Sequence, residues 1–569
     1  MALFHKLQTR DELAARLDIP LKKLTYILYI RGVENCYTTF SVPKRLGGER
    51  QIYAPIDELK DIQRKMAMLL QQDKTERQSR NDRLPVISHG FEPGKSILTN
   101  ARIHRNKRYV LNLDLEDFFG SIHFGRVLGY FKKNKAFEVS HEVATAMAQL
   151  CCYQGKLPQG APTSPVVANL VSEILDYRLL KVARKYHLDY TRYADDLSFS
   201  TNDSKFLDNY DAFYREIDSE IKRAGYSINA KKIRLQYRDS RQTVTGLTVN
   251  KIINVDRRYY KETRAMAHQL YETGSFQING VPSTLAQLEG RFAFIYRFDL
   301  ENSDHKKEKQ PARKLTAREK QYQKFLFYKT FLANDIPLIV TEGKTDILYI
   351  KAALMNLHEH YPSLVTKNPD NTFDFKIRFF RKSDRWRYLF DISLDGADTL
   401  QNIFDFHVGR NSRPDYISIF SKHHSLKSNQ PVFLVFDNEL ANKDKPISKF
   451  VNRLGDPELA RNEIKKRLST KVVDKGKLYL ITHQLHEGVK EGEIESLFTE
   501  ETRGIKLSGK SLTLKDRFDT SKFFGKDIFS NYVLDNYATI DFSGFRPLLD
   551  TMVDIIGEEQ NIETVASVR

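Results

Sequence analysis

The chain has 569 residues, 90 Lys and Arg against 73 Asp and Glu, a formal net charge of +17, and a composition 41% hydrophobic and 29% charged. Those proportions exclude a disordered or collagen-like chain, and at roughly 150 residues per domain they predict three or four compact units. No apolar run approaches the roughly 18–20 residues of a membrane span, the charged N-terminus lacks a signal-like apolar core, and three cysteines build no disulfide framework, so a reducing cytoplasm is expected and a polyanionic partner suits the charge.

In chain order, residues 11–30 have apolar residues at helical spacing, and FSVPKRLGGERQIYAP predicts strand, Gly-Gly turn, strand. A helix follows from DELKDIQRKMAMLLQQ, with Asp57 as its N-cap. RYVLNLDL reads as a strand, HEVATAMAQLCC and SPVVANLVSEILDYRLLKVARKY as helices, and LDYTRYADDLSFS as strand–turn–strand. YDAFYREIDSEIKRAG is a helix, and YSINAKKIRLQY and QTVTGLTVN are further strands, which together predict α+β architecture with mostly antiparallel strands. Residues 256–298 read as a separate small helical unit, and the polar run beginning at Glu301 as a linker. PLIVTEGKTDILYIKAALMNL then gives strand, loop and helix, PVFLVFDNE and KLYLITHQL give buried-type strands, and the last 65 residues read as helical.

Two groups of acidic residues carry the chemistry. Asp114 follows an apolar strand, and Asp195-Asp196 lie at a hairpin tip. Adjacent aspartates repel unless a cation offsets them. With a third carboxylate from a neighbouring strand they can hold two Mg²⁺ ions about 3.5–4 Å apart, one activating a 3′-hydroxyl and one stabilising the leaving pyrophosphate.

With its flanking motifs, this group resembles the reverse transcriptases. Asp114 with Phe118-Phe119, LPQGAPTSP at 157–165 and Tyr193-Ala194-Asp195-Asp196 are similar to that family's motifs A, B and C, and GYSINAKKIR to motif D. The resemblance implies Asp114, Asp195 and Asp196 as catalytic metal ligands, with Leu115 also in the metal set. It implies Phe119 beneath the sugar, excluding a 2′-hydroxyl, and Gln159 and Gly160 at the incoming nucleotide. Lys232, or alternatively Lys231, becomes a proton donor to pyrophosphate, and Lys95, with the segment around Arg50, meets the triphosphate. Asn100-Ala101-Arg102-Ile103-His104 and Val244-Thr245-Gly246 are similar to the NAxxH and VTG motifs of the retron reverse transcriptases. Those enzymes copy a dedicated structured RNA, primed from a 2′-hydroxyl within it, into branched RNA–DNA (msDNA). The resemblance therefore implies deoxynucleotides, a cognate noncoding RNA and its msDNA as partners, with Asn100, His104, Thr245, Arg257 and Arg258 at the RNA; for His104 packing is the more direct role.

The second group is Glu342, after one apolar strand, with Asp437 and Glu439 after another. Sites in open α/β sheets form at the carboxyl ends of strands, so the two clusters can converge on a metal. This resembles the TOPRIM domain of primases, topoisomerases and overcoming-lysogenization-defect nucleases, which implies Glu342 as acid/base or ligand, Asp437 and Glu439 as ligands, and Mg²⁺ or alternatively Mn²⁺. Glu495 or Glu493 would supply a later acid, and Lys344 a phosphate contact; His483 and His486 read as surface residues spaced like ligands. The long gap between the clusters predicts an insertion around 360–390.

The expectation is thus an α+β right-hand reverse transcriptase of fingers, palm and thumb, followed by an α/β TOPRIM domain with a parallel sheet. Fingers and palm are assigned to 1–250, thumb to 251–300, linker to 301–325, TOPRIM to 326–500 and a mainly helical extension to 501–569. The implied function is retron DNA synthesis fused to a metal-dependent nuclease acting on RNA or DNA in antiphage defence. The alternative is a C-terminal module that binds nucleic acid or joins protomers without catalysis.

Overall fold

The computed structural model describes residues 3–44, 47–80, 87–303, 315–392, 398–422, 430–515 and 517–568. The chain divides into two compact units, Met1–Arg257 and Arg258–Arg569.

In the first unit, β1 (Tyr37–Pro43) and β2 (Glu49–Pro55) form an isolated antiparallel ribbon, as their alternating pattern around Gly47-Gly48 predicts. Asp57 opens helix α1 (Asp57–Arg80) as its first residue rather than capping it. Helix α2 (Ile97–Ile103) leads into β3 (Tyr109–Asp114). Helix α3 (Ser164–Lys185) precedes β4 (Asp189–Tyr193) and β5 (Asp196–Thr201), then come α4 (Tyr210–Arg223) and β6 (Arg234–Tyr237). The sheet has the order β4-β5-β3-β6 and every pairing is antiparallel. Part of the strand expected over 226–237 is instead a short 3-10 turn at Ala230–Lys232, which presents Lys232 at the end of β3.

The second unit begins with α5 (Arg257–Thr273, whose first residue closes the first unit), α6 (Leu285–Asn302) and α7 (Ala317–Phe327). A five-stranded sheet follows from β7 (Leu338–Thr341), β8 (Arg378–Phe379), β9 (Val432–Phe436), β10 (Ser469–Val473) and β11 (Leu478–Thr482). Its order is β8-β7-β9-β11-β10, parallel except for the edge pair β10–β11. Leu338, Val340, Val432, Leu434, Phe436, Leu478 and Leu480 face one core; Ile339, Phe433, Val435, Tyr479 and Ile481 face the other. Strands buried on both faces explain the near-continuous apolar runs.

Three domain expectations change. The helices of 256–298 do not form a separate unit, because Leu270, Phe292 and Tyr296 share one core with Phe325, Leu338 and Leu434. The linker expected over 301–325 falls partly on 304–314, which lie outside the described residues, and α7 fills its later part with buried Tyr322 and Phe325. The C-terminal segment is not wholly helical: Lys506–Leu507, Lys510–Leu512 and Phe523–Phe524 form a small sheet before α9 (Lys526–Asp535) and α10 (Arg546–Val568). The insertion expected around 360–390 also runs further, with helices at Asp398–Val408 and Tyr416–Phe420 before β9.

Candidate functional site

The register of the palm sheet builds the first site. Asp114, the last residue of β3, stands opposite Asp196, the first of β5. Leu115 N donates to Asp195 O at 2.9 Å, so Leu115 and Asp195 form the hydrogen-bonded pair, and Asp114 and Asp196 the closer kind, with side chains on one face. Tyr193 pairs with Asp196, which leaves Ala194-Asp195 as a two-residue hairpin turn. The three aspartates are thereby gathered at one end of the two central strands.

Electrostatics follow from that crowding. Burial, then the neighbouring Asp195 and Asp114, push the Asp196 carboxyl up to about 7. Asp195 is raised too, by burial first and by Asp114. Lys232 Nζ donates to Asp114 Oδ2 at 2.8 Å, and that bond holds the lysine above its usual value. Of the two lysine candidates, Lys232 is the one placed at the site; Arg50 and Arg234 add positive potential at Asp195 and Asp196. Among the described residues no three acidic, His or Cys side chains form a ready metal cage. The donor set nonetheless fits a hard divalent cation, since Asp195 and Asp196, both raised by burial and by neighbouring charge, stand with Asp114 in a carboxylate group that such an ion would stabilise. The side chain of Leu115 is apolar and buried, so only its main-chain carbonyl is chemically suited to a metal.

Gly160 has φ +123°, and a Cβ there would lie 2.6 Å from Tyr53 O. Tyr53 N donates to Gln159 O at 2.7 Å, so this loop is bonded to β2 and the close approach of Gly160 is to that strand. Phe119 is half-buried, its ring 5.4 Å from Phe118 and 6.3 Å from Phe91, a platform beside Asp114. Replacing Phe119 by Ala is expected to raise incorporation of ribonucleotides relative to deoxynucleotides by about tenfold, read by competition on one template. Lys95 is exposed, in the turn before α2.

Asn100 and His104 are corrected. Both are fully buried and do not present a surface to RNA. His104 Nδ1 bonds Ser200 Oγ and Nε2 bonds Thr191 Oγ1, each at 2.7 Å, while Thr191 Oγ1 donates to Asn100 Oδ1 at 2.5 Å. The motif therefore staples α2 to β4 and β5, and burial lowers the imidazole to about 3, leaving it neutral. His104→Ala should cost about 2–3 kcal/mol of stability through the hydroxyls left unpaired, measured by denaturant unfolding, with RNA affinity of the folded protein unchanged. Thr245 has φ +46° in the tight turn between Thr243–Val244 and Leu247–Thr248. Beside that turn lies a cavity of about 660 Å³ lined by Arg238, Arg241, Lys251 and Arg257. Arg257 and Arg258 are exposed at the start of α5.

The second acidic group lies at the carboxyl ends of adjacent parallel strands, Glu342 after β7 and Asp437 after β9. Burial pushes Glu342 up to about 7, with Asp346 and Glu439 adding repulsion. Asp437 is raised well above its usual range by burial, then by Asp346, Glu342 and Glu495. Glu495, on a short 3-10 turn beyond β11, is fully buried; Lys526 of α9 bridges it, at 3.2 Å, to Glu493, at 3.1 Å. Glu439 accepts from Lys445 at 2.5 Å. Asp346 was missed by motif reading. It sits on the first turn of helix α8 (Lys344–Asn356), where its Oδ2 accepts from Gly343 N at 2.9 Å, so its spacing from Glu342 reads equally as a helix cap. Lys382, whose Nζ donates to Glu342 O at 2.7 Å, comes from the insertion and had no sequence signal. Lys344 is instead in an exposed ion pair with Asp527 at 3.0 Å. His483 is buried rather than on the surface, with Nε2 at 2.9 Å from Gly492 O, and is structural; His486 Nε2 lies 2.9 Å from Ser496 O.

Residues 42–256 match the family described as "Reverse transcriptase (RNA-dependent DNA polymerase)", the span that holds the palm sheet and its three aspartates. A reverse transcriptase is the class of enzyme that this half of the chain defines. Relatives narrow it. The chain is 35% identical over 319 residues to the Retron Mx65 reverse transcriptase of Myxococcus xanthus, covering 52% of this chain and 70% of that protein. It is 34% identical over 286 residues to the Retron Ec86 reverse transcriptase of Escherichia coli, covering 49% and 82%. It is 31% identical over 324 residues to the Retron Mx162 reverse transcriptase of Myxococcus xanthus, covering 52% and 64%. The chain belongs to the retron reverse transcriptases.

Proposed function

We propose that this protein copies a cognate structured noncoding RNA into msDNA, and that its C-terminal half is a TOPRIM-type metal-dependent nuclease effector serving antiphage defence. The observation that carries the first part is the pairing of Asp114 with Asp196 beside the Asp195 turn. When bound, Mg²⁺ there supplies Lewis-acid activation of a 3′-hydroxyl and charge stabilisation of the departing pyrophosphate. Asp114, Asp195 and Asp196 would hold the ions, Phe119 would exclude a 2′-hydroxyl, and Lys232 would give a proton to pyrophosphate. Fingers and palm are assigned to 1–250 and thumb to 251–300, and the basic cavity at Arg238, Arg241, Lys251 and Arg257 suits RNA phosphates read by shape and backbone. No described helix is long and apolar enough to cross a membrane.

Support for the nuclease is the gathering of Glu342, Asp346, Asp437, Glu439 and Glu495, whose mutual repulsion suits a divalent ion at strand ends. A second reading, a binding module without catalysis, is favoured by the lysines already on these acids, Lys445 on Glu439 and Lys526 on Glu495. The experiment uses the full chain with Asp195→Asn to silence polymerisation, incubated with Mg²⁺ or Mn²⁺ and a mixed RNA and DNA pool. Cleavage that disappears on adding Asp437→Asn supports the nuclease. Absence of cleavage with either metal, alone or after addition of the RNA–DNA product and its enzymatic removal, supports the binding module.

A further inference from the structure

Arg192 stands on β4, one residue before Tyr193, and its side chain is 0% exposed. A guanidinium so buried is unfavourable unless its donors all find acceptors. Nε and Nη2 donate in parallel to the two oxygens of Asp176, at 2.8 and 2.7 Å. Nη1 donates to Asn169 Oδ1 at 3.1 Å and to Ala194 O at 3.2 Å. Asp176 and Asn169 both lie on α3, the helix that starts within the LPQGAPTSP loop. One side chain thus ties the helix behind that loop to the turn that carries the catalytic aspartates.

That turn needs tying. Ala194 has φ +54° as the first central residue of a two-residue hairpin. Glycine is preferred at such a position, because a Cβ there crowds the backbone. Two neighbours hold Ala194 in place. Arg192 bonds its carbonyl, and Gly90 lies so close that a Cβ on Gly90 would come within 2.6 Å of Ala194 N. The segment bearing Gly90 is itself fixed, since His89 N donates to Arg192 O at 2.7 Å and Asn169 Nδ2 donates to Gly90 O at 2.9 Å. The guanidinium also lies 5.8 Å from the ring centre of Phe118, whose neighbour Phe119 is the sugar-gate residue.

We propose that Arg192 is a positioning residue for DNA synthesis: by holding the Ala194 carbonyl it keeps the left-handed turn in the shape that aims Asp195 and Asp196 at the metal site. A merely structural ion pair would hold the fold together and leave the aim of the turn indifferent to Ala194 O. The two roles separate experimentally.

The test uses the full chain carrying Arg192→Met with Asp176→Leu, which removes both charges so that none is left buried and unpaired; such exchanges commonly preserve folding. Thermal melting by circular dichroism reports the fold, Mn²⁺ affinity by electron paramagnetic resonance reports the site, and dTTP incorporation on oligo(dT)-primed poly(rA) reports turnover. The expected result is a cooperative melt, a kcat lowered about tenfold or more, Mn²⁺ bound about threefold or more weakly, and a dTTP KM within about twofold of the parent, as suits misaimed ligands. Adding Ala194→Gly is then expected to restore most of the lost kcat and Mn²⁺ affinity, since glycine adopts the turn unaided. The proposal is overturned by a folded double variant with parental kcat and Mn²⁺ affinity, or by an Ala194→Gly addition that restores nothing. Should the double variant fail to melt cooperatively, Arg192→Lys, which keeps the charge beside Asp176 but lacks the fork that also reaches Ala194 O, is judged by the same readings.

Discussion

Replacing Asp195 by Asn is expected to remove DNA synthesis on an RNA template, lowering kcat by about three orders of magnitude while leaving the melting temperature equal to or above that of the parent. The size of the loss reflects what the carboxylate does. It shares the end of the palm sheet with Asp114 and Asp196, and an amide cannot supply the anionic oxygen that a hard cation requires. The direction of the stability change follows from burial. Asp195 is raised by desolvation first and by the charge of Asp114, and Asp196 by desolvation first and by the charges of Asp195 and Asp114, so removing the Asp195 charge relieves Asp196. Steady-state dTTP incorporation and a melting curve on the same preparation check both halves; residual incorporation within tenfold of the parent would contradict the assignment.

The second large effect is on folding. Asp176→Ala leaves the Arg192 guanidinium buried without its carboxylate, and breaking a buried pair from one side costs about 3–5 kcal/mol. The local network makes relief difficult. Asn169 Oδ1 already accepts from Arg192 Nη1 and from Ser88 Oγ, and Asn169 Nδ2 is engaged with Gly90 O and with Glu92 Oε1, itself paired with Lys74. Tyr190 loses its acceptor as well, since its hydroxyl donates to Asp176 Oδ1 at 3.1 Å. Urea unfolding should show a midpoint shift of that size with an unchanged slope, whereas a change below about 1 kcal/mol would mean that water reaches Arg192.

The convergence of Asp114, Asp195 and Asp196 on one sheet end was legible because the pattern is local: two adjacent aspartates between apolar strands, a third ending another strand, and the flanking motifs that place them together. Arg192 was not legible, because its acceptors lie 16 and 23 residues upstream on a helix, and an arginine inside a strand has no sequence pattern of its own. Asn100 and His104 show a different limit. Polar residues in a recognisable motif suggest a ligand surface, yet here both bond the Thr191 hydroxyl, and His104 also that of Ser200, inside the protein. In the second unit, strands after which Glu342 and Asp437 fall were clear from continuous apolar runs, while Asp346 was hidden by its second role as a helix cap. Charge density misled the reading of 317–325, where Tyr322 and Phe325 are buried although lysines and arginines flank them in sequence. The strands of 506–524 are two or three residues long, too short for any periodicity to appear.

DNA synthesis at the palm requires Asp114 and Asp195 to share a divalent cation. A crystal structure of the full chain with Mn²⁺, a primed RNA template and a non-hydrolysable deoxynucleotide, examined for anomalous scattering, tests it directly. The expected result is a Mn²⁺ peak within about 2.5 Å of carboxylate oxygens from both residues, with Lys232 Nζ displaced from its present 2.8 Å contact with Asp114 Oδ2. A bound nucleotide with no peak between the two carboxylates, and with Lys232 still bonded to Asp114, would contradict it.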